Sequence, residues 1–133
     1  MEPPSGTSAD DLREALMLAC RTTYVPRMAR GRAWVLSSPR AWVLGHIERV
    51  AEDVIDWDDY WDYRRLLELY ALLDPRLLPR AIEKGLTSHD PDVREAAEDF
   101  RDPAYVERIR VDLTRGLAQM YPELGGLNPT QGE

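Results

Sequence analysis

The chain contains one cysteine, one phenylalanine, one lysine and two histidines in 133 residues. With Cys20 alone, no intrachain disulfide can form, and cysteine usage leaves the redox compartment open. No apolar run approaches the roughly 20 residues of a membrane-spanning helix. The opening Met1-Glu2-Pro3-Pro4-Ser5-Gly6 has neither the basic nor the apolar region of a secretory signal, so the cytoplasm is the expected compartment. No period-two alternation of apolar and polar residues competes with helical spacing, which excludes a recognisable strand pattern. Neither His46 nor His89 stands in a motif that would pair it with Cys20 as a catalytic thiol. His46 reads as the boundary histidine of a helix and His89 as a solvated turn residue.

Positive charge is also scarce. Seventeen Lys and Arg stand against 24 Asp and Glu, giving a net charge of -7 and a pI near 4.9. That balance argues against a general nucleic-acid binder or a binder of anionic membranes, and favours basic partners. A hydrophobic content of 44% and a mean hydropathy of -0.47 describe one soluble domain with room for a single modest core.

What the chain does have is helical periodicity. Ser8 is an N-cap with Asp11 three positions on, and Leu12, Ala15, Leu16 and Ala19 follow as one apolar face. Cys20 continues that face as a small buried hydrophobe. Residues 21–47 hold Arg21, Arg27, Arg30, Arg32 and Arg40 and no acid. Within them Arg32-Ala33-Trp34-Val35-Leu36 recurs unchanged as Arg40-Ala41-Trp42-Val43-Leu44, an offset of eight that is too short for a structural repeat. Ser38-Pro39 opens a helix running to about Ile55, with Val43, Ile47, Val50 and Val54 inward. A further helix from about Asp59 to Leu73 carries Tyr63, Leu66, Leu67, Tyr70 and Leu73 on one stripe. Leu69 and Leu72 widen the stripe, so neighbours are expected on two sides and this helix is the expected centre of the core.

Asp74-Pro75, Asp90-Pro91 and Asp102-Pro103 announce three more helices by one device. Aspartate caps free amides, and proline at the first helical position gives up an amide that would have no partner. Pro79 bends or delays the first of these helices. The expected architecture is all-α, a short array of antiparallel hairpins with about six helices. Residues 1–7 form a disordered lead, 8–121 a single helical domain and 122–133 a flexible tail.

The segment from Leu77 to Arg101 resembles a HEAT-like repeat, above all in Asp90-Pro91-Asp92-Val93-Arg94-Glu95-Ala96-Ala97. The resemblance covers a single repeat-like segment. It implies stacked helical hairpins acting as a protein-binding scaffold, and it supplies no catalytic residues.

The densest chemistry lies in Glu52 to Tyr63, where six carboxylates and four aromatic rings follow one another with no basic residue. Like charges this close repel, and exposed tryptophan is costly, so a cationic partner with a flat surface would account for both. The candidate partner-binding residues are Asp53, Asp56, Trp57, Asp58, Asp59, Trp61 and Asp62. The competing structural interpretation makes Asp58 and Asp59 cap and first-turn residues, and Trp57 and Trp61 core residues at i and i+4 of a helix. Asp58-Asp59-Tyr60-Trp61-Asp62 also matches the DDxxD pattern of magnesium-diphosphate enzymes, but it has no second metal motif beside it. The arginines of 21–40, interleaved with Tyr24, Trp34 and Trp42, could face nucleic acid, pair with the later carboxylates, or join two copies into a homodimer.

The expected function is therefore a protein-binding module that needs no cofactor. Its most concrete form is an immunity protein or inhibitor that blocks the cationic cleft of a toxin nuclease or deaminase. A HEAT-like structural or regulatory adaptor and a magnesium-dependent enzyme using Asp58, Asp59 and Asp62 are the alternatives.

Overall fold

The computed structural model describes residues 8–126, and the expected lead (1–7) and the end of the expected tail (127–133) lie outside them. The described residues form seven α-helices and no strand: α1 Ala9–Arg21, α2 Val25–Ser37, α3 Arg40–Val54, α4 Tyr60–Leu73, α5 Leu78–Leu86, α6 Pro91–Asp99 and α7 Pro103–Met120. None of these helices is long and apolar enough to cross a membrane.

The caps fall where local chemistry puts them except at Ser38-Pro39: Ser38 ends α2, its hydroxyl donating to the Trp34 carbonyl at 2.7 Å, and Pro39 stands at the N-cap of α3 with no side-chain bond. Ser8 accepts from the Asp11 amide at 3.2 Å, and Asp90 and Asp102 accept from Asp92 and Ala104 at 2.8 and 3.0 Å. Asp74 accepts from the Arg76 amide at 3.0 Å. Pro79 delays α5, because a 3-10 turn at Pro75–Leu77 comes first. The six expected helices are all present, and α2 joins them. Its N-cap, Tyr24, makes no side-chain hydrogen bond, so no capping signal announces it.

The centre is α4, which packs against α1, α2, α5, α6 and α7. Tyr63, Leu66, Leu67 and Leu69 are fully buried, joined by Leu12, Leu16, Val35, Val43 and Ile47. Each such side chain contributes about 1.5–3 kcal/mol by leaving water. Pairing of α1 with α2 and of α5 with α6 gives two helical hairpins, and the repeat-like segment supplies the second. Gly31 sets the α1–α2 crossing, since a Cβ there would lie 2.5 Å from the Ala15 carbonyl oxygen.

The two copies of Arg-Ala-Trp-Val-Leu end α2 and begin α3, where their Trp and Val positions match while Ala33 is buried and Ala41 exposed. Val35 and Val43 are fully buried, and Trp34 and Trp42 pack half-buried on the core. Arg32 and Arg40 each reach a carboxylate in or just beyond α4, Glu68 at 2.6 Å and Asp74 at 3.0 Å. The expected tail is corrected at its start. Pro122–Gly126 is a 3-10 turn whose Leu124 is buried against Ala29, Ala33 and Leu117. One apolar residue with a place to go is enough to hold that segment.

Candidate functional site

The acidic-aromatic run is not a single surface. It is the end of α3, a tight turn over 55–59 and the first turn of α4. Buried Ile55 anchors the turn. Asp62 closes it, accepting from the Asp56 amide at 3.1 Å and pairing with Arg21 Nε at 2.9 Å. Arg21 also donates to the Val54 carbonyl at 3.3 Å. Burial raises the Asp62 pKa, while the Asp56 amide and Arg21 pull it back. At 7% exposure Asp62 cannot present its carboxylate to a partner, so its place in the expected surface is corrected.

Asp59 is exposed but is also the N-cap of α4, accepting from the Asp62 amide at 3.0 Å. This matches the structural interpretation of that aspartate. Asp58 is exposed and accepts from the Ser88 hydroxyl at 2.7 Å, tying the turn to the α5–α6 connection. Asp56 accepts from the Asp58 amide at 3.1 Å, and Asp53 pairs with Arg13 at 3.3 Å on the surface. Asp53, Asp56, Asp58 and Asp59 thus form an exposed acidic edge.

The two tryptophans separate. Trp57 precedes α4, so the expected i, i+4 helical relation does not exist. Its ring is half-buried, 6.0 Å from Tyr63, with the Lys84 ammonium 4.4 Å from the ring centroid. Its indole Nε1 is shut away from solvent with no acceptor. Trp61 is 57% exposed, edge-on to Tyr60 at 4.9 Å, with the Arg65 guanidinium 5.2 Å from its centroid.

Arg65 also donates to the Thr22 carbonyl at 2.7 Å, which links Trp61 to the α1–α2 turn. There Tyr24 and Val25 are 59% and 60% exposed. Sequence reasoning placed Tyr24 only with the arginines of 21–40 and missed Val25. The only available signal was an aromatic and a β-branched residue standing just ahead of Pro26, outside any apolar stripe.

The arginine-rich half pairs largely within the chain. Arg21, Arg32 and Arg40 bond Asp62, Glu68 and Asp74. Of the three aspartates of the magnesium alternative, Asp58 accepts from the Ser88 hydroxyl, Asp59 from the α4 amide of Asp62, and Asp62 pairs with Arg21. Among the described residues no three His, Cys, Asp or Glu side chains are arranged to hold a metal ion. Burial pushes the Cys20 thiol up to about 12, so it packs as a protonated, inert hydrophobe. His46 stacks on Trp42 at 4.4 Å and places Nδ1 2.7 Å from the Trp42 carbonyl oxygen, while His89 is exposed.

Fold and surface together define an all-α domain that displays an acidic edge beside an exposed tryptophan. Compared with known protein families, curated proteins and solved structures, the chain matches none of them.

Proposed function

We propose that the protein is a non-enzymatic, cytoplasmic protein-binding module that engages a basic partner through the α3–α4 turn. The observation that carries this is Trp61, 57% exposed next to the end of α3 and the turn after it, which bear the exposed Asp53, Asp56, Asp58 and Asp59. Aromatic anchors with a charged rim are the usual make-up of an energetic contact centre, and acidic rims speed encounter with cationic surfaces. The most concrete form is an immunity protein or inhibitor of a toxin nuclease or deaminase. In that role the carboxylates stand in for phosphates and the indole for a stacked base. The α5–α6 hairpin, formed by the segment that resembles a HEAT-like repeat, agrees with a scaffold role.

A regulatory adaptor is the second reading, favoured by the exposure of Tyr24 and Val25 beside Trp61. One experiment separates the two. The wild type, Asp53→Asn/Asp56→Asn/Asp58→Asn, Trp61→Ala and Tyr24→Ala/Val25→Ala, each checked for folding, are used to capture partners from the native host. The captured enzyme is then assayed against added protein at low and high salt. Inhibition requires stoichiometric loss of enzyme activity, weakened by salt and by both the Asp→Asn and the Trp61→Ala changes. Capture that survives the Asp→Asn changes but fails with Tyr24→Ala/Val25→Ala would establish the adaptor instead.

A further inference from the structure

Among the described residues the exposed large apolar side chains are Met17, Tyr24, Val25, Trp61 and Met120, and the first four gather on one face. Arg13, Met17 and Arg21 follow one another at four-residue spacing, so they form one row on the outside of α1. Arg13 holds Asp53 at 3.3 Å and Arg21 holds Asp62 at 2.9 Å, which sets Met17 between the end of α3 and the start of α4. Trp61 adjoins Asp62. Arg65, one turn further along α4, carries the row on through the Thr22 carbonyl towards Tyr24 and Val25. The part from Arg13 to Arg21 alone is about 12 Å long. Large apolar side chains scattered singly on a surface are ordinary, whereas grouped ones mark a contact face.

The two ends of this strip carry opposite charge. At the Met17 end Asp10, Glu14 and Asp53 stand exposed against Arg13. At the other end Arg27 lies 5.7 Å from the Tyr24 ring centroid, with Arg30 one turn further along α2. Arg27 and Arg30 are exposed and form no ion pair among the described residues, whereas Arg21, Arg32 and Arg40 are already paired. No acid occurs in residues 21–47 to offset them. An apolar strip with one acidic and one basic end is complementary to itself. A two-fold rotation lays apolar on apolar and sets each basic end against the other copy's acidic end. We propose that a second copy of this chain covers the strip. The dimer is isologous, with Met17, Tyr24, Val25 and Trp61 at its centre and Arg27 facing Asp53 of the partner subunit. Four apolar side chains make a small contact, so the dimer is weak and forms at high micromolar protein concentration. It does not rest on the partner reading above, but it covers the same Trp61, so a second copy and a basic partner compete for one face.

The test is sedimentation velocity of the full chain from low micromolar to near-millimolar protein, with folding of each variant checked by circular dichroism. Wild type is expected to pass reversibly from monomer to dimer, and Trp61→Ala and Tyr24→Ser/Val25→Ser to stay monomeric throughout. Arg27→Glu and Asp53→Lys each change an exposed side chain outside the core. Each alone sets like charges against one another at both ends of the contact, which opposes association. Mixing the two variants in equal amounts restores opposite charges at both ends, so dimers are expected to return. A folding defect in either variant would not be cured by mixing. A wild type that stays monomeric, a dimer that survives Trp61→Ala, or a mixture no more associated than its components would overturn the proposal.

Discussion

Arg32 of α2 and Glu68 of α4 meet at 2.6 Å, with only 12% and 16% of their side chains exposed. The other Glu68 oxygen takes Arg64 at 3.2 Å, and Arg64 in turn donates to the Tyr105 hydroxyl of α7 at 2.8 Å. Arg64 also lies 5.4 Å from the Phe100 ring centroid. One carboxylate therefore joins three helices through two guanidinium groups, in a setting where removing a single partner strands a desolvated charge.

Glu68→Ala is expected to cost about 3 kcal/mol, the scale for breaking a buried pair, and Glu68→Gln less because an acceptor remains. Urea unfolding measures both. A loss below about 1 kcal/mol would assign the pair to the solvent-screened class of surface bridges.

Asp62 and Asp74 should give pH profiles of opposite sign. Hydrogen bonding from Arg76, aided by Arg40, lowers the Asp74 pKa below its ordinary 3.8. Its contribution is present above that value and lost as pH falls through the lowered one. The stability gap between wild type and Asp74→Asn should therefore close on acidification. Burial raises the Asp62 pKa above 3.8, so its contribution is fully present below 3.8 and is lost as pH rises through the raised value. The gap between wild type and Asp62→Asn should shrink across that higher window. Thermal melts from pH 3 to 7 of the two variants would refute this assignment if both slopes had the same sign.

Glycine-to-alanine changes should likewise split by sign. At Gly85 a Cβ would lie 2.0 Å from the Tyr63 hydroxyl oxygen, which donates to the Ala81 carbonyl at 2.8 Å. At Gly31 the clash is with α1 backbone. Gly31→Ala and Gly85→Ala should each destabilise by about 1–3 kcal/mol through overpacking. Gly45 and Gly116 have nothing within 4 Å of an added Cβ, so alanine there should stabilise by about 0.5–1 kcal/mol. Denaturant midpoints of the four variants check the ordering.

These effects mark which parts of the molecule were legible in the sequence. Capping is a local transaction between a side chain and an amide two or three residues on. Ser8, Asp74, Asp90 and Asp102 could therefore be read directly, and so could the stripe that buries Tyr63, Leu66 and Leu67. The helix α2 was silent because its N-cap has no capping side chain and Gly31, unfavourable for a helix in isolation, is there to let α1 approach. The site was half legible. The density of acid and aromatic residues located the turn, but nothing local tells Asp62 from Asp58. The difference is made by Arg21, from a different helix, and the tryptophans are sorted by whether α5 lies over them.

That sorting gives the last prediction. Trp57 is packed between Tyr63 and Lys84, and Lys84 also holds Glu52 at 2.6 Å, so truncating the indole removes packing and loosens the α3–α5 contact together. Trp57→Ala should lose about 2–3 kcal/mol, less than the cost for a fully buried tryptophan because the ring is half in solvent. Trp61 touches Tyr60 and Arg65 at the surface, so Trp61→Ala should stay within about 0.5 kcal/mol of wild type. Chemical unfolding of the two variants side by side decides the matter. Equal losses would mean that Trp61 is held by the fold after all, and the proposed partner surface would then lose its aromatic anchor.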